Sequence, residues 1–411
     1  MPLNSSHQNI TQLSGGPNAA ADPFVSVYHE QQHFGYRDQA GIIWDAWYDG
    51  SGSWNLQQIN GGGRTNGPTA FAGPFIGVFH DQQHFAYLDR AGVIWDAWYD
   101  GSGSWNLQQI PLGGYLALIE HFPDSPPPFV SIWNDPTDTQ QHFTYLDRER
   151  SISDAFWDSD PPLAQPHWNR QRLHNRPAWS SPFACVFGNQ QHIGYLDDVG
   201  IIMDGWYDGD GGWHVQAITG GGEPAPDART KGPEAFPGKH PVIWVDHTNT
   251  QQHFTYLGHD RAIYDAFWDS NHDSWNLQKL NSGGLTDGPA AWSSPHVCFW
   301  EPAGKQYFAY RDEIGHIWFL TYDGAAWEAS HLESSWPGLP GPVSVRASGD
   351  VTVWVDHTGS QLHFTWLDTQ WPWLDTQQWS LISTPDVATR SVATEARVRP
   401  GVIWDEWFWE G

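Results

Sequence analysis

Short stretches in which apolar and polar side chains alternate recur along the whole chain, each broken by a turn signal within about a dozen residues. The first unit runs Pro23-Phe24-Val25-Ser26-Val27-Tyr28, then Gln31-Gln32-His33-Phe34-Gly35-Tyr36-Arg37-Asp38. It continues with Ile42-Ile43-Trp44-Asp45-Ala46-Trp47-Tyr48-Asp49-Gly50 and closes with Trp54-Asn55-Leu56-Gln57-Gln58-Ile59. Runs rich in Val, Ile, Tyr and Trp, set off by Asp-Gly, Gly-Ser-Gly and Gly-Gly-Gly, predict four short antiparallel strands per unit.

The unit repeats. A nearly identical copy spans Pro74 to Ile110, and the His of the Gln-Gln-His-Phe element recurs at His33, His84, His142, His192 and His253. It becomes Tyr307 in the sixth copy and returns as His363 in the seventh, so 330 residues cover six intervals at a mean period of 55. Seven four-stranded sheets arranged radially make an all-β, seven-bladed β-propeller, which leaves only short sheet edges exposed. A linear solenoid would need distinct capping repeats, and none stands out. The expected blades are 23–72, 73–126, 127–180, 181–237, 238–293, 294–347 and 348–411, with 1–22 joining the last in one domain. Closure is legible at the termini. Val402-Ile403-Trp404-Asp405-Glu406-Trp407 copies a third strand and then stops, while Asn9-Ile10-Thr11-Gln12-Leu13 resembles Asn55-Leu56-Gln57-Gln58-Ile59. An N-terminal strand over 9–13 is therefore expected to complete the C-terminal blade. Gly16-Pro17, Gly67-Pro68, Gly232-Pro233, Gly288-Pro289 and Gly341-Pro342 precede new blades, and 369–398, with the polar run Ser383 to Arg397, reads as an insertion in blade seven.

Within the copies an Asp follows the His by a constant 12 residues, giving His33/Asp45, His84/Asp96, His142/Asp154, His192/Asp204 and His253/Asp265. In blade seven His363 pairs with Asp405, 42 residues on, and blade six has Tyr307 and Phe319 instead. If the turn sets Arg37 opposite Gly41, His33 lies directly across from Asp45, on a face shared with Gly35, Ile43 and Trp47; a one-residue slip would separate them. The residue two after each His is small (Gly35, Ala86, Thr144, Gly194, Thr255, Ala309, Thr365), which leaves room for a flat polar ligand. Trp47, Trp98, Phe156, Trp206, Phe267 and Trp407 are the aromatics expected beside it, with Thr321 in blade six. Carboxylate, imidazole and aromatic face together are what a sugar needs: acceptors and donors for its hydroxyls and a platform for its C–H groups. The same His–Asp pairs, if buried, would simply tie strands together, and metal binding is a distant third possibility. Trp44, Trp95, Trp54 and Trp105 read as core, Asp49-Gly50 as a turn, and His7, His121 and His316 as surface or packing groups.

Composition narrows the partners. Among 411 residues there are 28 Trp, 16% charged residues and a net charge of −28, which repels phosphate and so disfavours nucleic acid and anionic membranes. No apolar run is long enough to span a bilayer, and the polar start, Met1 to Leu13, lacks a signal peptide's features. The expected location is therefore cytoplasmic, or outside the cell by release without a signal peptide. Cys185 and Cys298 make no disulfide scaffold and no zinc spacing, and no cofactor motif occurs. Active sites on propellers are single and break the repeat; here no unique carboxylate pair and no arginine cluster suited to sialic acid appears, so an enzyme is not expected.

The recurring Gln-Gln-His-Phe-x-Tyr-x-Asp, Ile-Trp-Asp-Ala-Trp-Tyr-Asp-Gly and Trp-Asn-Leu-Gln elements, with their Gly-Gly and Gly-Pro linkers, resemble the seven-bladed propeller lectins of Photorhabdus type over all seven units. More distantly the repeat is similar to that of the fungal fucose-specific lectins, which carry an Arg on the second strand and a Glu on the third. Aligned on the shared Tyr-x-Asp and Tyr-Asp-Gly elements, His33 falls at that Arg and Asp45 at that Glu. The resemblance implies a metal-independent lectin for fucose or related neutral sugars, O-methylated ones included, bound between blades through His33, Asp45, Trp47 and their copies. Blade six should then be degenerate. Up to six weak sites would combine through avidity. The competing reading is a protein-interaction scaffold whose His/Asp rows are purely structural; either reading leaves room for a homo-oligomer.

Overall fold

The computed structural model describes residues 4–110, 129–159, 167–173, 177–209, 212–220, 227–334, 343–344, 350–356, 358–368 and 401–409. They form seven four-stranded antiparallel sheets and one two-stranded ribbon. Blade one consists of Phe24–Tyr28, Gln31–Arg37, Ile43–Tyr48 and Trp54–Gln58, in that spatial order. Blades two to six repeat it from Ala72, Val130, Phe183, Val242 and His296. Each first strand lies against the first strand of the next blade, and that of blade one meets that of blade seven, so the ring is closed.

Blade seven takes Val351–Val355, Gln361–Asp368 and Val402–Trp409 from the C-terminal part and Asn4–Asn9 from the N-terminus. Closure across the termini thus holds, but the strand lies earlier than the similarity to Asn55–Ile59 suggests. Ser6 pairs with Trp407 as Asn55 pairs with Trp47, so Ile10 is the equivalent of Ile59, not of Leu56. Residues Ile10–Ser14 form a single helical turn, capped by Asn9, whose side chain accepts from the Gln12 amide at 2.9 Å. Packing fixes this register: Ile10 is fully buried with Phe34, Tyr36 and Ile403, a contact that a polar strand's own composition does not encode. The insertion expected at 369–398, the Gly341-Pro342 linker and His121 lie outside the described residues.

Neighbouring blades interlock through unlike faces. Phe34 and Tyr36 pack on Leu367 and Ile403 of blade seven, and Phe85 and Tyr87 pack on Ile43 and Ile59 of blade one. This fills the space that the small residues were expected to leave. A Cβ at Gly35 would lie 2.4 Å from Ile76 Cδ1 and 3.2 Å from Phe85 Cε1, so the small side chain admits the next blade and not a ligand. The Gly-Pro linkers have an equally local cause: a Cβ at Gly67 would lie 1.9 Å from the Tyr87 hydroxyl.

Candidate functional site

The second and third strands place Gly35 opposite Asp45 and His33 opposite Trp47. The turn therefore sets Arg37 against Ile43, two residues from the expected pairing, and because the slip is even the His and Asp keep one face. His33 reaches diagonally to Asp45, and the same contact recurs in six blades, with Nδ1–carboxylate distances of 2.8 to 3.1 Å. All six carboxylates are completely buried. A fourth-strand glutamine donates to the same group in five blades: Gln57, Gln108, Gln171, Gln216 and Gln278, at 2.9 to 3.1 Å. A carboxylate that only accepts fixes the imidazole as the Nδ1–H donor. The opposite nitrogen, Nε2, is then an acceptor in the neutral ring. It is buried and has no hydrogen-bond partner in any of the six.

The six pairs divide into two kinds, decided by the first strand. In blades three, five and seven the residue opposite the His is Trp133, Trp244 or Trp354. Each indole stacks on the imidazole with centroids 3.9 to 4.1 Å apart. Each also donates from Nε1 to Thr144, Thr255 or Thr365, and that threonine donates to the Asp. In blades one, two and four the residue opposite is Ser26, Gly77 or Cys185, and the threonine is replaced by Gly35, Ala86 or Gly194. No first-strand indole covers these imidazoles. The hairpins differ in step: blades one, two and four turn on two residues with positive φ, such as His29 (47°) and Glu30 (61°), whereas Asp135, Asp246 and Asp356 cap longer loops.

Open clefts lie beside two of the uncovered imidazoles. One, of about 450 Å³ between blades one and two, is lined by Tyr28, His29, Gln31, His33, Trp47 and Gln57, and by Arg64, Gln83, Tyr99, Gly103 and Trp105. The other, of about 290 Å³ between blades four and five, is lined by Phe187, Gln190, His192, Trp206, Gln216, Arg229, Gln252, Trp268 and Trp275. Nine positions correspond one to one, so the same cleft is built twice. Arg64 Nε donates to Gln57 Oε1 at 2.8 Å and Arg229 Nε to Gln216 Oε1 at 2.6 Å, continuing the chain to Asp45 and Asp204. In the first cleft the Tyr28 hydroxyl donates to the Asp81 carbonyl, and His29 Nε2 contacts the Asp81 carboxylate at 2.6 Å, clamping the two blades. Burial and Asp81 push the Tyr28 phenol up to about 12, which keeps it a donor. A further hollow of about 280 Å³ at Trp407 and Trp409 is lined without His363.

Of the candidate residues, His33, Trp47, His192 and Trp206 thus line clefts. Asp45, Asp96, Asp154, Asp204, Asp265 and Asp405 stand behind their imidazoles with no exposed surface. His142, His253 and His363 are sandwiched between an indole and Phe156, Phe267 or Trp407. His84 stacks on Trp98 with centroids 6.0 Å apart, as His33 does on Trp47. In blade six Tyr307 and Phe319 are packed in an apolar cluster. Trp105, expected in the core, packs against the buried cluster of Phe85 and Tyr87 and also forms cleft wall. Tyr28, His29, Gln57, Arg64, Tyr99 and Trp105 escape sequence reasoning because each lies outside the His–Asp step. The signal that marks them is the switch from Ser26, Gly77 and Cys185 to tryptophan at one repeat position. Among the described residues no three His, Cys, Asp or Glu side chains converge as a metal site, and no helix is long and apolar enough to cross a membrane.

No family model matches the chain, and no curated protein matches it in sequence. Solved structures do. The BP39L lectin of Burkholderia pseudomallei superposes with a TM-score of 0.60 at 16% identity, over 89% of this chain and 92% of that one. The Arthrobotrys oligospora protein AofleA matches at 0.47 and 9% identity, over 85% of this chain and 94% of its own. An Aleuria aurantia lectin bound to alpha-methyl-L-fucoside matches at 0.46 and 14%, over 78% and 99%. At these identities the Burkholderia likeness shows a shared propeller fold.

Proposed function

We propose that the chain is a carbohydrate-binding protein, a lectin, that holds neutral saccharides of the fucose type, O-methylated ones included, in clefts between adjacent blades. One observation carries this reading: the His33 imidazole, held from behind by a buried aspartate, stands in the wall of a cleft lined by Trp47, Tyr99 and Trp105 and by Gln31, Gln57 and Arg64. The hydroxyls of a sugar can bond the glutamines and the arginine of the wall while the C–H face of the ring lies on an indole. The aspartate holds the imidazole's tautomer and orientation and does not touch the ligand. That division of labour also favours binding over catalysis, since a carboxylate with no exposed surface and its oxygens already engaged cannot protonate a glycosidic oxygen. The Burkholderia relative, named a lectin, shares the architecture, and the Aleuria structure holds alpha-methyl-L-fucoside.

A glycan array followed by calorimetry with alpha-methyl-L-fucoside tests the reading. Trp47→Ala combined with Trp206→Ala should weaken binding about tenfold or more, the loss of an aromatic platform at both clefts. Absence of signal for every neutral sugar at high protein concentration would reject it.

A further inference from the structure

We infer that the ring is bivalent and not sixfold: its saccharide sites are the two matched clefts between blades one and two and between blades four and five, and Arg64 and Arg229 are their ligand donors. This rests on the saccharide reading and adds the number of sites and the residues that set it.

Three observations converge. First, the indole of Trp133, Trp244 or Trp354 lies within about 4 Å of the imidazole in blades three, five and seven, so the face that a sugar would approach is already covered. Blade six has Tyr307 in place of the histidine. Second, the arginine follows the same division. The loop after the fourth strand returns in the same way in blades one, four and five: the amide of Arg64, Arg229 or Leu285 donates back to the end of that strand. The next residue, Thr65, Thr230 or Thr286, returns its hydroxyl to a carbonyl of the same turn. Arginine therefore occupies the position in two of the three uncovered blades and leucine in the covered one. Blade two is uncovered, yet the chain from Arg90 to Arg148 contains no other arginine. Third, in an acidic chain with 19 basic residues against 47 acidic ones, both of these exposed arginines line a cleft, and each bonds to a glutamine through Nε, which leaves its two terminal nitrogens outside that bond.

The chemistry is cooperative. The two terminal nitrogens of the guanidinium donate to two neighbouring sugar oxygens, so each site selects a vicinal pair of hydroxyls above an indole. Glutamine locks the arginine's direction and the buried aspartate locks the histidine's. The two sites lie three blade steps apart in a ring of seven, so one molecule can hold two separate glycan chains.

Titration calorimetry with alpha-methyl-L-fucoside, or with the strongest array sugar, tests this. The expected stoichiometry is two per chain. Arg64→Ala should leave one site, and the double variant Arg64→Ala/Arg229→Ala should lower affinity at least tenfold with an unchanged circular-dichroism melt, because both side chains are exposed. Arg90→Ala, in a turn outside the clefts, should bind like the wild type. Three or six equivalent sites, or a double variant that still binds two sugars, would overturn bivalency and leave the saccharide reading standing. A wild-type protein that binds no saccharide would overturn both.

Discussion

The hydroxyl of Thr255 is the most direct handle on the linkage that divides the blades. Its Oγ1 accepts from Trp244 Nε1 at 2.8 Å and donates to Asp265 Oδ1 at 2.9 Å, with the residue fully buried. Thr255→Val keeps the shape and removes both hydrogen bonds. The indole N–H loses its partner, and the carboxylate keeps only His253 and Gln278. Each buried polar group left without a partner costs about 1–3 kcal/mol, so the variant should lose about 2–5 kcal/mol, a large share of a typical domain's stability. Thr255→Ser retains the hydroxyl and should lose only about 1 kcal/mol for the missing methyl. Urea unfolding followed by tryptophan fluorescence gives both values. Sugar binding should be untouched in each variant, since Thr255 lines neither cleft. A valine variant within about 0.5 kcal/mol of wild type would show that the Trp–Thr–Asp chain does not hold the blade, and the division into two blade kinds would lose its energetic basis.

Other outcomes follow from the same geometry. Gly67→Ala drives a methyl onto the Tyr87 hydroxyl and should cost about 1–3 kcal/mol, and Tyr87→Phe in the same chain should recover much of it; thermal melts of the four-variant cycle check this. Glu406 is buried beside Asp405, which raises its carboxyl from 4.5 to about 8. The folded chain therefore binds the extra proton between those values, and stability should fall as pH climbs from about 4.5 to 8. Glu406→Gln should flatten that slope in urea titrations at pH 5 and pH 8. Burial pushes Cys298 up to about 12 and Cys185 higher still, so neither thiol should react with a disulfide reagent at pH 7.5 until urea unfolds the chain.

The seven units, their four strands and closure of the ring across the termini were legible because period-two alternation, turn residues and a 55-residue repeat are local or translational properties of a chain. The twelve-residue His–Asp step was legible for the same reason. An even error in the pairing left both side chains on one face. Short, polar Asn4–Asn9 resisted because many registers of such a strand look alike, and only the burial of Ile10 selects one. The small residues after each histidine were visible as a row but not as sockets for the next blade's phenylalanine. That role depends on a neighbour 50 residues away in Gly35 and Phe85. Tertiary structure alone decided which imidazoles are covered, that the aspartates lie behind them, and that Arg64 shares a cleft with Trp105 of the next blade. A sequence specifies what each strand offers on its two faces. Which face ends beside which depends on the packing of one sheet against another, and that packing is a property of the closed ring.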